Sequence, residues 1–574
     1  MMITCKKYSW HLVCLVALCF LCSCATTRRS LRLQAKDAFV QGRFAEAETM
    51  LSSSQVVGEE KNRLLTLMEL GTIAHYAGDY EKSNRFLLRA KDIAKELYTV
   101  SVSEQIATGL LNDNSASYAG MDYEVSAIHY YIITNFLLMS AEGKIKAWSM
   151  PLIQHKKNTI FEAEQHPERI LTAKEQTDFL SKARSEALAW DSFLETIRQR
   201  NKGHPYFKDD LLAKLLGAYI HRNTGQSSEK TIAKILYQDA RNILVRSYSL
   251  FPTFNGTSEK YLDNYSKFAE LGESLVKERF VLPTEYYQSL DRFISERSKV
   301  SDTKNKVVLI LEAGTIPEKT TKIYTVGLST LFGQIQDPVL RSVIEQLGTH
   351  VILETAPSVG VGLVAVALTG AIMGEVEGGP NKPQHISQAI DKAIGFEFKL
   401  PSIPKVKTDT EFVIKFTRAD GKEFQTPAVI VNPFNDIAYL DVERRAAGIA
   451  TKTGIRVGLK YLAALIAAIT VYQKTPEPEF LKVATGTATW IAGKKLVDAT
   501  ESPDTRAWAM LPMNVAISEI ELTPGNYHLT ALPKNGGVPF DLGTIAVKNG
   551  TPIHLFKRRL FSPVPAAPKQ IASK

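Results

Sequence analysis

The spacing of apolar residues changes once along this chain. From about residue 30 to 300 they recur at helical spacing. Gly42, Phe44, Ala47 and Leu51 return as Gly78, Tyr80, Ser83 and Leu87, each pair offset by 36. After Lys304-Asn305-Lys306 the texture becomes strand-like. Val307-Val308-Leu309-Ile310-Leu311 is a short β-rich run that predicts a buried strand. Phe396, Phe398 and Leu400 alternate. Glu411 to Phe416 and Phe424 to Val431 flank Ala419-Asp420-Gly421-Lys422, which predicts a hairpin because the tight turn needs positive φ. Pro427 places the second strand at an edge or a bulge. Further on, Ile517–Leu522 and Tyr527–Leu532 flank Thr523-Pro524-Gly525-Asn526. Thr544–Val547 and Ile553–Leu560 flank Lys548-Asn549-Gly550-Thr551. Together they predict a small antiparallel sandwich or sheet.

Charge-free segments interrupt both halves. Leu12 to Cys22 holds 11 residues without charge, too few for a permanent span. Ala356 to Gly374 holds 19, with Gly370 and Gly374 in a GxxxG spacing. Membrane insertion is open there. A buried Gly/Ala-rich helix or hairpin is favoured, because Glu354, Pro357 and Glu375 flank it without cationic anchors. Tyr461–Tyr472 and Ala484–Ala492 read as two buried partner helices.

The 36-residue offset resembles the tetratricopeptide (TPR) pattern, whose helix pairs must stack because one pair cannot bury its own apolar face. Its clearest copy is Leu70-Gly71, then Tyr76-Ala77-Gly78-Asp79-Tyr80, then Ala90. Gly71 would let two helices approach, Gly78 would sit in the turn, and Tyr80 and Leu87 would fill the space between pairs. Tyr118-Ala119-Gly120 with Asp122-Tyr123-Glu124 reads as a third copy. Leu216-Gly217-Ala218-Tyr219 with Tyr237 and Ala240 reads as a remote one. Between them, Glu162–Gln165 and Ala173–Arg198 read as helical but off-pattern. The expectation is an α-solenoid of three to five pairs with a long insertion. Tyr, Phe and Leu at these spacings are core rather than a ligand box. His129 lacks a second ligand three or four residues on, so a packed histidine is the better reading than a metal or catalytic one.

The start of the chain supplies an address. Lys6 and Lys7 precede the apolar run, which ends in Leu21-Cys22-Ser23-Cys24, the build of a secretory signal peptide. Leu21, Ser23 and Cys24 resemble the lipobox of bacterial lipoproteins, with Cys22 unusual at its position. The resemblance implies cleavage before Cys24, a diacylglycerol thioether on its sulfur and a third acyl chain on its new amine. It also implies a firm hold on the bilayer. Ala25 leans toward outer-membrane sorting. All five cysteines fall at positions 5, 14, 19, 22 and 24, so the chain beyond Cys24 has none to pair in a disulfide. The net charge is +9. Without residues 1–23, which carry Lys6 and Lys7 and no acid, it is +7. That excess is small for the length, and Lys557-Arg558-Arg559 is the one dense basic block, so a nucleic-acid partner is disfavoured.

Taken together, the chain resembles an uncharacterised family of bacterial outer-membrane-type lipoproteins with TPR-like N-terminal helices and a mixed α/β C-terminal region. The resemblance rests on Tyr118-x-Gly120 with Tyr123-Glu124 and His129-Tyr130-Tyr131, and on Leu216-Gly217 with Tyr237 and Ala240. It continues in Val307–Leu311 leading to Glu312-x-Gly314-x-x-Pro317, in Asp504-Thr505-Arg506-x-Trp508 before Leu511-Pro512, and in Leu522-x-Pro524-Gly525. It implies an α+β multidomain fold in six segments: a signal peptide at 1–23, a lipidated tether at 24–30, a solenoid at 31–300, a mixed α/β region with buried apolar helices at 305–512, a β-sandwich-like module at 513–561, and a disordered tail at 562–574. The implied address is the cell envelope, facing the periplasm.

Asp504, Arg506 and Trp508 form the sharpest polar cluster, expected to be an Asp–Arg pair with a Trp packed on the sheet. No HExxH, GxxxxGK[ST] or GxSxG pattern is present, and no cofactor or metal is expected. Cys24 is the only site residue the sequence names. The leading expectation is a non-catalytic scaffold or adaptor that binds another envelope protein on the concave surface of the TPR-like solenoid, in envelope assembly or regulation of peptidoglycan synthesis. The alternatives are a membrane-inserted export subunit and a glycan- or lipid-acting enzyme without a recognisable motif.

Overall fold

The computed structural model describes residues 29–107, 116–155, 158–200, 207, 209–223, 227–248, 251–254, 285–299, 305–326, 396–406, 411–443 and 478–561 except 535, with scattered positions between 457 and 476. Cys24, the segment 356–374 and the tail 562–574 lie outside the described residues.

Eight helices lead: α1 over 29–40, α2 (Phe44–Leu51), α3 (Ser54–Val57), α4 (Arg63–Ala77), α5 (Tyr80–Ala107), α6 (Asp122–Glu142), α7 (Ala173–Arg200) and α8 (Leu211–Asn223). Two more, α9 (Ser227–Arg246) and α10 (Glu285–Arg297), complete the helical layer. From α4 to α9 each helix packs on the next, and α10 packs on α9. The alternate helices α4, α6 and α8 are buried almost all round. Every residue of α4 from Leu64 to His75 is buried, and α6 is buried from Asp122 to Ser140 save Val125. A helix without a polar face must be covered on every side. Here α5, α7 and α9 cover one side; on the other a sheet covers α6 and α8, and α2 packs on α4.

The glycines expected to shape the second helix pair do so. A Cβ on Gly71 would lie 2.6 Å from the Leu87 side chain of α5, so only glycine lets these helices close. Gly78, at φ 82°, ends α4. The third expected copy differs. Residues 116–121 are irregular rather than the end of a first helix. Tyr118 N donates to Lys61 O at 2.7 Å, which ties the segment to the entry of α4.

The described residues between 144 and 170 are not helical. Strands β1 (Lys144–Ile145), β2 (Trp148–Met150), β3 (Ile153–His155), β4 (Asn158–Phe161), β5 (Glu164–His166) and β6 (Arg169–Ile170) pair as β1–β6, β2–β5 and β3–β4. These nested pairs make one folded-back ribbon. It corrects the helical reading of Glu162–Gln165. Trp148 stacks on His166 at 4.1 Å across the ribbon, a cross-strand contact that helical periodicity does not detect.

The second half holds β7 (Lys306–Ala313), β8 (Thr320–Val326), β9 (Phe396–Ser402), β10 (Phe412–Arg418), β11 (Glu423–Asn432), β12 (Asn514–Glu521), β13 (Gly525–Pro533), β14 (Phe540–Val547) and β15 (Ile553–Leu560). Seven of them form one sheet in the order β14-β13-β10-β11-β12-β7-β15, and β8 pairs with β9 apart from it. All its pairs are antiparallel except β15 with β7, which is parallel. The sheet is nearly closed. Arg558 of β15 donates through Nε to Leu542 O at 2.7 Å and through Nη2 to Thr544 O at 3.3 Å, bridging the two edge strands. Blocking edges in this way prevents pairing with another chain.

This topology corrects three expectations. A domain boundary at 512/513 would cut the sheet, because β7, β10 and β11 interleave with the last four strands. The turn at 523–526 does not close a hairpin, since β10 and β11 lie between β12 and β13. The turn at 548–551 joins the two edges. The Asp420-Gly421 hairpin stands, with Gly421 at φ 84° and Phe416 opposite Phe424. β11 is a central strand, yet Pro427 lies ahead of Val429, where its register with β12 begins, so its missing N–H leaves no ladder bond unmade on that side.

Helix α11, over 434–443, follows β11, and α12 is the later helix Glu479–Thr500. Within the expected buried helix Ala484–Ala492, Gly486 is buried while Ala488 and Ala492 are exposed, so it is covered on one side only. Among the described residues no helix is long and apolar enough to cross a membrane.

Candidate functional site

His129 sits in α6 and is buried. Its Nδ1 lies 2.6 Å from Glu186 Oε1, its ring lies parallel to Trp190, and Lys91 Nζ donates to Glu186 at 2.6 Å. Burial pushes the Glu186 carboxyl up, but the hydrogen bonds and charges of His129 and Lys91 hold it below its usual range. The three residues tie α5, α6 and α7 together, as expected of a packed histidine. Among the described residues no group of three His, Cys, Asp or Glu side chains could hold a metal ion.

The seam between α4, α6, α8 and the sheet carries more charge than the sequence suggested. Glu312 of β7 is fully buried. It accepts from Tyr76 OH and from Tyr130 OH at 2.8 Å, and Lys557 of β15 lies 3.1 Å away. The Lys557 ammonium faces the rings of Tyr130 at 4.5 Å and Tyr131 at 4.4 Å. Arg559, two residues on and on the same face of β15, packs on Phe39, Tyr76 and Phe561. The one dense basic block of the sequence, Lys557-Arg558-Arg559, therefore points two of its three cations into the core. Period-2 alternation with Glu312 on the neighbouring strand was the signal available.

Glu519 of β12 is a second buried acid on this seam. It lies 2.7 Å from both Arg297 Nε and Lys306 Nζ, 3.6 Å from Arg222 Nη1, and accepts from Tyr219 OH at 2.9 Å. Burial raises its pKa, but the three cations overcome that and bring it to about 2. Asp210 is the third. It caps α8 through Leu212 N at 3.0 Å and receives Asn432 Nδ2 at 3.2 Å and Ser126 Oγ at 3.3 Å. Burial, with only neutral donors against it, pushes its pKa up to about 7.

Asp504, Arg506 and Trp508 lie together, as expected of a structural cluster. Arg506 grips Asp504 through Nε at 2.8 Å and Nη2 at 2.7 Å, and its Nη1 donates to Asn62 Oδ1 and Ala116 O. The partners of Trp508 lie on the helices. Its indole N–H donates to Thr72 of α4 at 3.0 Å, its backbone N–H donates to Glu124 of α6 at 2.7 Å, and its ring meets Tyr131 at 5.6 Å. A buried indole needs an acceptor, and Thr72 supplies one.

Behind Arg506 opens a cavity of about 450 Å³. Its walls are α1, the turn at Glu60–Asn62, the loop after β7 and the loop 502–510. Six cations line it, Arg29, Arg32, Lys36, Lys61, Lys319 and Arg506, against the acids Glu59, Glu69 and Glu318. That size is usual for a ligand pocket. Glu69, pushed up by burial and drawn down by Arg32, is paired to that arginine.

No protein-family model and no curated protein matches the chain.

Proposed function

We propose that this chain is a lipid-anchored scaffold of the bacterial cell envelope, held to the bilayer through acylated Cys24 and facing the periplasm, whose TPR-like helices bind another envelope protein. The observation that carries this reading is the unbroken stacking of α4 to α9, each helix on the next, as a repeat array stacks. The inner face of that array is covered by the chain's own sheet. The surface left for a partner is therefore the outer one, where Leu88 of α5, Leu188 of α7 and Ile235 of α9 are exposed. Envelope assembly and regulation of peptidoglycan synthesis are the processes in which such a protein would act.

Two measurements test this. Cys24→Ser should leave the leader uncleaved and move the protein out of the acyl-dependent detergent phase. An unaltered mature size and partition would remove the anchor. Crosslinking in intact cells should capture a defined envelope protein with the wild type and lose it with Leu188→Glu combined with Ile235→Glu. Equal capture by both would remove the outer face as the partner surface.

A further inference from the structure

We propose that the cavity beside α1 binds an anionic phosphate group, supplied by a phospholipid headgroup. Its chemistry stands on a buried ammonium and a half-buried guanidinium that line this cavity. Lys319 is 6% exposed, and its ammonium donates to the backbone oxygen of Arg506 at 2.8 Å. Among the described residues no carboxylate lies within ion-pair distance of it. A buried ammonium with one neutral acceptor is a charge awaiting a counter-ion. Arg32 lies on the wall formed by α1. Its terminal nitrogens go to Glu69 and Thr66, and its Nε is buried without an acceptor.

The surrounding charges favour the same sign of ligand. Lys36 pairs with Glu318 at 2.8 Å and Arg32 with Glu69, so each lining acid is already engaged by a cation, Glu59 by Lys61 at 3.8 Å. Lys319 is left in excess. Arg506 cannot turn to a ligand, because its donors are spent on Asp504, Asn62 and Ala116. A tetrahedral anion has oxygens enough to accept from Lys319 and Arg32 at once. Leu33, Leu65 and Met510 add an apolar wall beside these donors, which suits an amphiphile better than a free ion.

The choice of a lipid source rests on the Cys24 reading, whereas the anion site does not. Five residue steps lead from Cys24 to Arg29, a reach of roughly 18 Å when fully extended. An acyl chain at Cys24 therefore holds α1 and its cavity at headgroup depth.

Calorimetric titration of the detergent-solubilised mature protein tests the site. The probes are inorganic phosphate, dioctanoyl phosphatidylglycerol and dioctanoyl phosphatidylcholine. Binding of phosphatidylglycerol at least about tenfold tighter than of phosphatidylcholine is expected, lost in Lys319→Gln and weakened in Lys36→Gln. Lys36→Gln removes only one part-exposed ion pair and so folds even if Lys319→Gln does not. Binding of inorganic phosphate alone, with the same dependence on Lys319, would keep the anion site and overturn the lipid source. Failure of both anions to bind, or binding indifferent to both substitutions, would overturn the proposal. None of these outcomes depends on the Cys24→Ser result.

Discussion

Glu519 and Asp210 are two buried acids on one helix–sheet seam, and their surroundings drive them in opposite directions. Glu519 meets Arg297, Lys306 and Arg222, stays ionised, and has its pKa drawn to about 2. Asp210 meets only backbone N–H, hydroxyl and amide groups and is raised to about 7. Burial alone raises both, so the difference lies in whether a cation was buried with the acid. Glu519 is thus a fixed charge that joins α8 and α10 to β12. Asp210 is a hydrogen-bonding hub that is neutral in mildly acidic solution and about half ionised near pH 7.

The largest expected effect comes from breaking the first of these. Glu519→Gln leaves three cations facing one another around a buried amide. Loss of one partner from a buried ion cluster costs about 3–5 kcal/mol. Denaturant unfolding should show a lower midpoint with an unchanged slope. A change under 1 kcal/mol would show that the cations are solvated by the adjoining cleft of about 290 Å³, which Arg222, Arg297 and Lys306 also line.

The pH dependence of stability sharpens the comparison further. Glu519 has a folded pKa below its unfolded one, so its contribution is present above about 4.5 and lost as pH falls toward 2. Asp210 has a folded pKa above its unfolded one. Its contribution is full below about 4 and lost as pH rises toward 7. The shift corresponds to roughly 3–4 kcal/mol across that window. Asp210→Asn keeps an acceptor for Leu212 N and cannot ionise, so the decline between pH 4 and 7 should flatten by about that amount. Chemical denaturation at several pH values measures it, and parallel wild-type and variant curves would contradict the assignment.

Tyr219→Phe should have a smaller effect. Its hydroxyl donates to Glu519 at 2.9 Å, and hydrogen bonds to charged groups contribute about 1.5–3 kcal/mol. Glu519 would keep its three cations, so the loss should fall at the low end. Tyr130→Phe on the sealed Glu312 centre should cost more, because Lys557 is the only cation within ion-pair distance there among the described residues.

Local features of this fold were legible, and long-range partners were not. Val307–Leu311, the Asp420-Gly421 hairpin, Gly71 against Leu87 and the helix 173–200 are set by short stretches of chain and emerge from spacing and turn chemistry. The Pro524-Gly525 and Asn549-Gly550 turns were equally visible. A positive-φ glycine fixes a local reversal but not which strand lies beside which: the first turn leads to a crossing over two strands and the second joins the two edges of the sheet, so neither closes a ladder of its own. The buried acids were hidden for a related reason. Glu519 lies 300 residues from Tyr219, and Glu312 lies 245 from Lys557. A lone charged residue in a strand reads as solvent-facing until its partner is placed. The Asp504–Arg506 pair was legible because it is two residues apart, while the Thr72 partner of Trp508, 436 residues away, was not.

The smallest effect is expected at the surface, and it defines the baseline for the others. Lys534 bridges Glu285 at 2.7 Å and Glu411 at 2.6 Å, more carboxylates than Lys557 reaches. Yet its side chain is 45% exposed, so water screens both contacts and the long side chain must be ordered to make them. Lys534→Ala should therefore shift stability by under about 1 kcal/mol, and half a molar of salt should erase most of that. Glu519→Gln should keep most of its cost in the same salt, because the Glu519 side chain is only 2% exposed and a buried pair is screened much less. If salt reduced both to the same degree, burial would not be what separates the two ion clusters, and the contrast between Glu519 and Asp210 would need another cause.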